Sequence, residues 1–172
     1  GEYGVGMIFF PSEPNVAEKC RKVLNTNAKK LGLKVLGYRP VPSDNSMLGM
    51  ASVESEPQIE QLFLQKPSSL TQQEFDRKLY VLRKHTAHTI NATIAKEVDD
   101  CYIASLSSST IVYKGQLTTA QVREYYLDLQ NEAVKSGIAM FHSRFSTNTF
   151  PAWRRAQPFR YLAHNGEINT VQ

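Results

Sequence analysis

Residues 137–172, GIAMFHSRFSTNTFPAWRRAQPFRYLAHNGEINTVQ, decide how this chain is read. Two short apolar runs in it each deliver a polar cluster. Gly137-Ile138-Ala139-Met140-Phe141 leads into His142-Ser143-Arg144-Phe145-Ser146-Thr147-Asn148, and Arg160-Tyr161-Leu162-Ala163 leads into His164-Asn165-Gly166-Glu167. Apolar runs this short, bounded by Gly, Pro and Asn, fit buried strands better than helices. If the two strands are neighbours, both clusters emerge at one end of one sheet, where loops on a rigid scaffold commonly carry binding groups.

The chemistry on offer there is recognition of an anion and of a developing negative charge. Arg144 supplies a planar fork of donors that matches a carboxylate, and Ser146, Thr147 and Asn148 add hydrogen-bonding groups. Asn165 offers a side-chain amide, while Gly166 lets a bare backbone N–H approach a ligand closely. An amide donor beside a free N–H is what an oxyanion hole needs, each donor lowering the barrier by about 3–4 kcal/mol. The stretch holds no good nucleophile. Asn-Gly is equally a tight-turn dipeptide, and an Arg after a strand is equally a structural ion-pair partner, so the residues alone leave both readings open.

Upstream, the pattern predicts alternating elements. Val5 to Phe10 reads as a first strand. Ser12-Glu13-Pro14 then opens a helix whose apolar face runs through Val16, Cys20, Val23, Leu24, Asn27 and Leu31, with Gly32 placed for a left-handed cap. Leu33 to Tyr38 is a second strand, residues 43–57 a long surface loop, and Ile59 to Leu64 a third strand. Thr71-Gln72-Gln73-Glu74 is a capping box that opens the longest helix, with Phe75, Leu79, Leu82, Thr86 and Ile90 as its buried stripe. His85 and His88 fall near that helix's far end as solvated or dipole-complementing residues. Tyr102 to Leu106 and Ile111 to Leu117 read as the arms of a hairpin across Ser107-Ser108-Ser109. Thr118 caps a short helix beginning at Thr119. No repeat and no linker divides the chain, which reads as one α+β unit of sheets covered by helices.

Composition excludes several function classes. At 172 residues, 41% hydrophobic and 21% charged, the chain has the make-up of an ordinary globular domain with a sizeable core. No apolar run reaches membrane-spanning length, and no basic leader opens the sequence, so neither a membrane nor a secretory route is expected. The net charge of +4 is scattered among glutamates with no basic stripe, which argues against nucleic acid. Cys20 and Cys101 are the only cysteines; each reads as a small core residue in a reducing compartment, and no His/Cys cluster has metal-ligand spacing.

CYIASLSSSTIVYKGQL (101–117), FHSRFSTNTFP (141–151) and AQPFRYLAHNGEINT (156–170) together resemble the class II glutamine amidotransferase domain of glutamate synthases. GEYGVGMIFFP and FDRKLYVLRK are similar to upstream parts of that domain, so the resemblance covers essentially residues 1–172. It implies an α+β fold of N-terminal-nucleophile hydrolase type, an αββα sandwich of two antiparallel sheets between helical layers. It implies hydrolysis of glutamine to glutamate and ammonia by an N-terminal cysteine whose own α-amine moves the proton. By motif position, Arg144 grips the glutamine α-carboxylate with Thr147 and Asn148 beside it, and Asn165 and Gly166 hold the oxyanion. The partners implied are glutamine, a synthase domain that converts 2-oxoglutarate to glutamate, and a reductase subunit. FMN and an iron–sulfur cluster are implied for the full-length enzyme, none of them in this chain, and the compartment is the cytoplasm or a plastid.

The sequence departs from the pattern in two places. Gly1 opens it instead of a cysteine, and Gly4-Val5-Gly6 echoes the family's opening segment with no Cys before it. Neither internal cysteine can substitute, because the mechanism needs a free α-amine on the cysteine itself. The aspartate that anchors the substrate's amino group falls past Gln172 in the family pattern. The expectation is therefore an incomplete internal fragment, inactive by itself. A non-catalytic assembly module of the same fold remains an alternative, as does the amidotransferase domain of another biosynthetic enzyme, such as a phosphoribosyl or hexosamine amidotransferase.

Overall fold

A computed structural model describes residues 2–94, 101–143, 145 and 150–159 of the chain. These fall into two compact units, one built from residues 2–40, 57–94 and 101–111, the other from 41–56, 112–143, 145 and 150–159.

The first unit is a four-stranded antiparallel sheet faced by two helices. In chain order it contains β1 (Tyr3–Phe10), α1 (Pro14–Lys30), β2 (Lys34–Pro40), β3 (Gln58–Gln65), α3 (Gln72–Thr93) and β4 (Tyr102–Ser107), with strand order β2-β3-β1-β4. A short helix, α2 (Met50–Glu54), lies between β2 and β3 in sequence and belongs to the second unit. β1 pairs with β3 without a break from Tyr3↔Gln65 to Phe10↔Gln58, so side chains alternate strictly between the two faces. On one face Ile8, Phe10, Leu62, Leu64, Ile103 and Leu106 join Cys20, Leu24 and Ala28 of α1 and Phe75, Leu79, Leu82 and Ile90 of α3 in one buried core. Register slips once in each outer pair, between Met7 and Ile8 against β4 and between Val35 and Gly37 against β2. An extra residue on one strand sharpens the local twist, which lets the sheet curl around the helices.

Local signals account for the helices. Pro14 occupies the first turn of α1, where its missing N–H costs nothing. At the far end Gly32 sits at φ 69°, its N–H donates to the Lys29 carbonyl at 3.0 Å, and the Leu33 N–H donates to Ala28 at 2.9 Å. That is a Schellman cap, and it satisfies carbonyls the helix leaves open. The Thr71–Glu74 capping box forms as the sequence predicts, and the buried stripe of α3 is Phe75, Leu79, Leu82, Thr86 and Ile90. His85 and His88 are exposed. Cys20 is buried and Cys101 packs against the same core. The hydrogen bond its S–H donates to Cys20, together with burial, raises the Cys101 thiol far above the ordinary range, so it is no nucleophile.

Three expectations fail. Residues 111–117 are not a second hairpin arm: none of them is in a strand, and Lys114 is tied to Arg154 and Ala156 instead. Residues 137–141 are not a buried strand either, for Ile138, Met140 and Phe141 are 84%, 70% and 86% exposed. A strand needs a ladder partner, and the one expected for this run, residues 160–163, lies outside the described residues. Residues 43–57 are not wholly loop, since they contain α2. Fold class α+β stands, with helices on a small antiparallel sheet; a second sheet is not among the described residues.

Candidate functional site

The two motif blocks are joined by residues 150–159, and the second unit is organised around that joint. Pro151 and Pro158 bracket it, each fixing its own φ and refusing a helical N–H. Between them Trp153–Arg155 makes one 3-10 turn, with Ala152 extended before it, and the Gln157–Pro158 peptide is cis. Trp153 is buried, and its indole Nε1–H donates to the Ser52 carbonyl at 3.0 Å. Its ring lies 5.2 Å from that of Tyr125, Tyr125 lies edge-on to Tyr126 at 4.7 Å, and Tyr126 lies edge-on to Tyr113 at 5.0 Å. The two tyrosines are delivered by α4 (Thr119–Tyr125) and the residue after it. Their backbone is fastened by an Asp44 N–H bond to the Tyr125 carbonyl at 2.9 Å and an antiparallel bridge from Ser43 to Tyr126.

Polar groups in this unit sit far from water. Lys114 is only 2% exposed; its Nζ donates to the carbonyls of Arg154 at 2.8 Å and Ala156 at 2.9 Å and lies 4.4 Å from the centroid of the Phe159 ring. The Tyr126 hydroxyl donates to the Lys114 carbonyl at 2.6 Å. Burial first, then the neighbouring tyrosines, raises the Tyr126 hydroxyl well above its ordinary range, so it stays a donor at any physiological pH. Burial likewise raises Tyr125, reinforced by its 2.5 Å hydrogen bond to Glu56. Gln157 is buried, yet neither its Nε2 nor its Oε1 has a hydrogen-bond partner among the described residues.

Among the residues singled out by sequence, His142 and Ser143 are exposed and Phe145 is half-buried. Arg144, Ser146, Thr147, Asn148, Asn165 and Gly166 all lie outside the described residues, so their convergence on one pocket stays an expectation. Sequence reasoning missed Lys114, Trp153 and Gln157. One signal for Lys114 was present: a single charged residue inside an otherwise uncharged run, TIVYKGQL.

The profile of the class II glutamine amidotransferases matches residues 1–172. The chain belongs to that family. This class II amidotransferase chain is 49% identical, over its whole length, to the NADH-dependent glutamate synthase of Schizosaccharomyces pombe, of which it covers 8%. It is also 49% identical, over 99% of its length, to the NADPH-dependent glutamate synthase large chain of Bacillus subtilis, covering 11% of it. Against the chloroplastic ferredoxin-dependent glutamate synthase of Oryza sativa subsp. japonica the identity is 44%, over 98% of this chain and 10% of that protein. The amidotransferase chain thus spans about a tenth of the relatives it matches.

Proposed function

We propose that this chain is the glutamine-hydrolysing portion of a glutamate synthase, with the αββα sandwich as its complete fold. The supporting observation is the family match across residues 1–172 together with relatives that are glutamate synthases. On this reading Arg144 grips the α-carboxylate of glutamine bidentately, and Thr147 and Asn148 complete the grip. A cysteine thiolate adds to the side-chain carboxamide carbon, its proton passing to that cysteine's own α-amine. The amide of Asn165 and the N–H of Gly166 stabilise the oxyanion so formed. Collapse of the tetrahedral intermediate expels ammonia, and water then cleaves the thioester to glutamate.

That cysteine is not Cys20 or Cys101, both internal to the chain, so the 172-residue polypeptide by itself is expected to release no ammonia from glutamine. The ammonia passes to a synthase domain acting on 2-oxoglutarate in the cytoplasm or a plastid, supplied with electrons by a reductase partner. FMN and the iron–sulfur cluster belong to those other domains. Two cysteines in the whole sequence are too few to supply a cluster's thiolates.

The test is ammonia release in the full-length enzyme carrying this sequence. Arg144→Lys is expected to raise the glutamine KM sharply, since a point charge loses the two-pronged match. Asn165→Ala is expected to lower kcat by about 100-fold or more. Unchanged kinetics in both variants would refute the assignment.

A further inference from the structure

The charge is not spread over the molecule as the composition suggests. Between Lys19 and Lys30 of α1 and between Arg77 and Thr93 of α3 fall nine of the twenty Lys and Arg residues and none of the sixteen Asp and Glu. The fold brings these two stretches together. Asn27 Nδ2 donates to the hydroxyls of Thr86 and Thr89, both at 3.4 Å, and Lys78 Nζ donates to the Leu31 carbonyl at 2.9 Å. Later positions on α1 thus meet earlier positions on α3, so the helices run antiparallel on one face of the sheet. Helical spacing then decides which cations look outward. Lys19, Lys22, Lys29 and Lys30 share the exposed stripe of α1, and Arg77, Lys84 and His88 share that of α3. Arg21 is engaged with Glu60, at 3.1 Å through its Nε, and does not count toward this surface. Lys29 and Lys30 complement the C-terminal end of α1, an effect confined to the last turn that gives no reason for the other cations.

At the middle of the α3 stripe, one turn from Arg77 and one from Lys84, Tyr80 and Val81 are 39% and 47% exposed. An apolar centre ringed by cations has the anatomy of a protein–protein interface, where charge steers and a few aromatic or apolar side chains anchor. A phosphate backbone gives Val81 no partner, and two apolar side chains fall short of the broad apolar face a helix needs to lie in a membrane surface. A surface of one sign calls for the other sign across it, because like charges facing each other repel. The chain spans 8% to 11% of the relatives it matches, so the greater part of such an enzyme lies outside it. Interfaces between domains of one polypeptide are also the more polar kind. We propose that the outer face of α1 and α3 is a docking surface for an acidic protein surface in another domain of the same enzyme.

The inference rests on reading the chain as part of a glutamate synthase, and the experiment separates the two. In the full-length enzyme carrying this sequence, lysines are acylated with a limiting dose of an amine reagent, and mass spectrometry compares each with the same enzyme unfolded in urea. Lys22, Lys29, Lys30 and Lys84 are expected to react about tenfold or more slowly in the native enzyme, and to regain most of that reactivity at about 1 M salt, where charges act over about 3 Å. A carbodiimide, which joins a lysine to a carboxylate touching it, is expected to link them to Asp or Glu of the same polypeptide outside residues 1–172. Native rates equal to those in urea would leave the face bare and overturn the proposal. Cross-links only to a second copy or another subunit would overturn it too, as would protection that vanishes on nuclease treatment. In the double variant Lys22→Glu, Lys84→Glu, both at exposed positions, Lys29 and Lys30 are expected to react at close to the unfolded rate, and unchanged protection would count against charge as the cause. Glutamine turnover enters none of these readouts, so a protected face on an enzyme that releases no ammonia would sink the glutaminase reading alone.

Discussion

Gly115→Ala puts the packing around the joint to a direct test. An alanine Cβ at this position would lie 2.5 Å from Cε3 and Cζ3 of Trp153 and 3.3 Å from Cδ1 of Leu117. Carbon atoms rest at about 3.5–4.0 Å, so the overlap with the ring is about 1 Å. The indole has no easy way to yield. It is 3% exposed, lies tilted against Tyr125 at 5.2 Å and is tethered through Nε1 to Ser52. Relieving the clash by overpacking costs about 1–3 kcal/mol, and losing the Ser52 bond adds about 1 kcal/mol. Taken together the expected destabilisation is about 2–4 kcal/mol, which for a unit of this size is a fall of roughly 10 °C or more in Tm. Trp153 is the only tryptophan in the sequence, so intrinsic fluorescence reads this corner alone during urea or thermal unfolding. Its emission maximum is expected to shift to the red in the variant. Gly137→Ala, where a Cβ meets nothing within 4 Å, is the control and is expected to stay within about 0.5 kcal/mol of wild type. An alanine at 115 that left both the emission maximum and the unfolding midpoint unchanged would refute the packing argument.

Two further substitutions probe polar groups. Gln157→Leu removes, at similar volume, a buried amide with no partner among the described residues; the chain is expected to gain about 1–3 kcal/mol in urea unfolding, and a loss would show that the amide is satisfied after all. Glu74 concerns pH: the Thr71 backbone N–H and hydroxyl hold its carboxyl below the ordinary carboxylate range. A depressed folded pKa means the benefit is present above that range and disappears as pH falls through the folded value. Glu74→Gln is therefore expected to flatten Tm against pH on the acid side of about pH 4.5. An acid limb as steep as wild type's would contradict it.

The first unit was legible wherever the signal was local. Pro14 and Gly32 mark the ends of α1 because the missing N–H and the positive φ act within a single turn. Thr71 and Glu74 mark α3 for the same reason. The apolar stripes were right because burial on one helix face repeats with a fixed period. Strand propensity misled at 111–117 and 137–141. Val, Ile, Tyr and Phe fit a pleated, half-buried surface only when a neighbouring strand provides one. At Ile111 to Leu117 the neighbours are an indole and two carbonyls, so the same residues make an irregular brace.

The site divides along a similar line. Arg144 and Asn165-Gly166 are proposed from sequence, and from the family resemblance, because carboxylate recognition and oxyanion stabilisation each call for a particular donor. The partners of Lys114 could not be, because nothing in its own stretch of sequence points to them. The carbonyls it caps lie 40 and 42 residues further on, and the carbonyl that receives the Trp153 indole is 101 residues back. A residue that binds substrate is selected for its chemistry, and chemistry is written in one letter. By contrast, a residue that ties two distant segments together is selected for a distance, which exists only after the chain has folded. The buried ammonium of Lys114 becomes readable only beside the two carbonyls that accept from it.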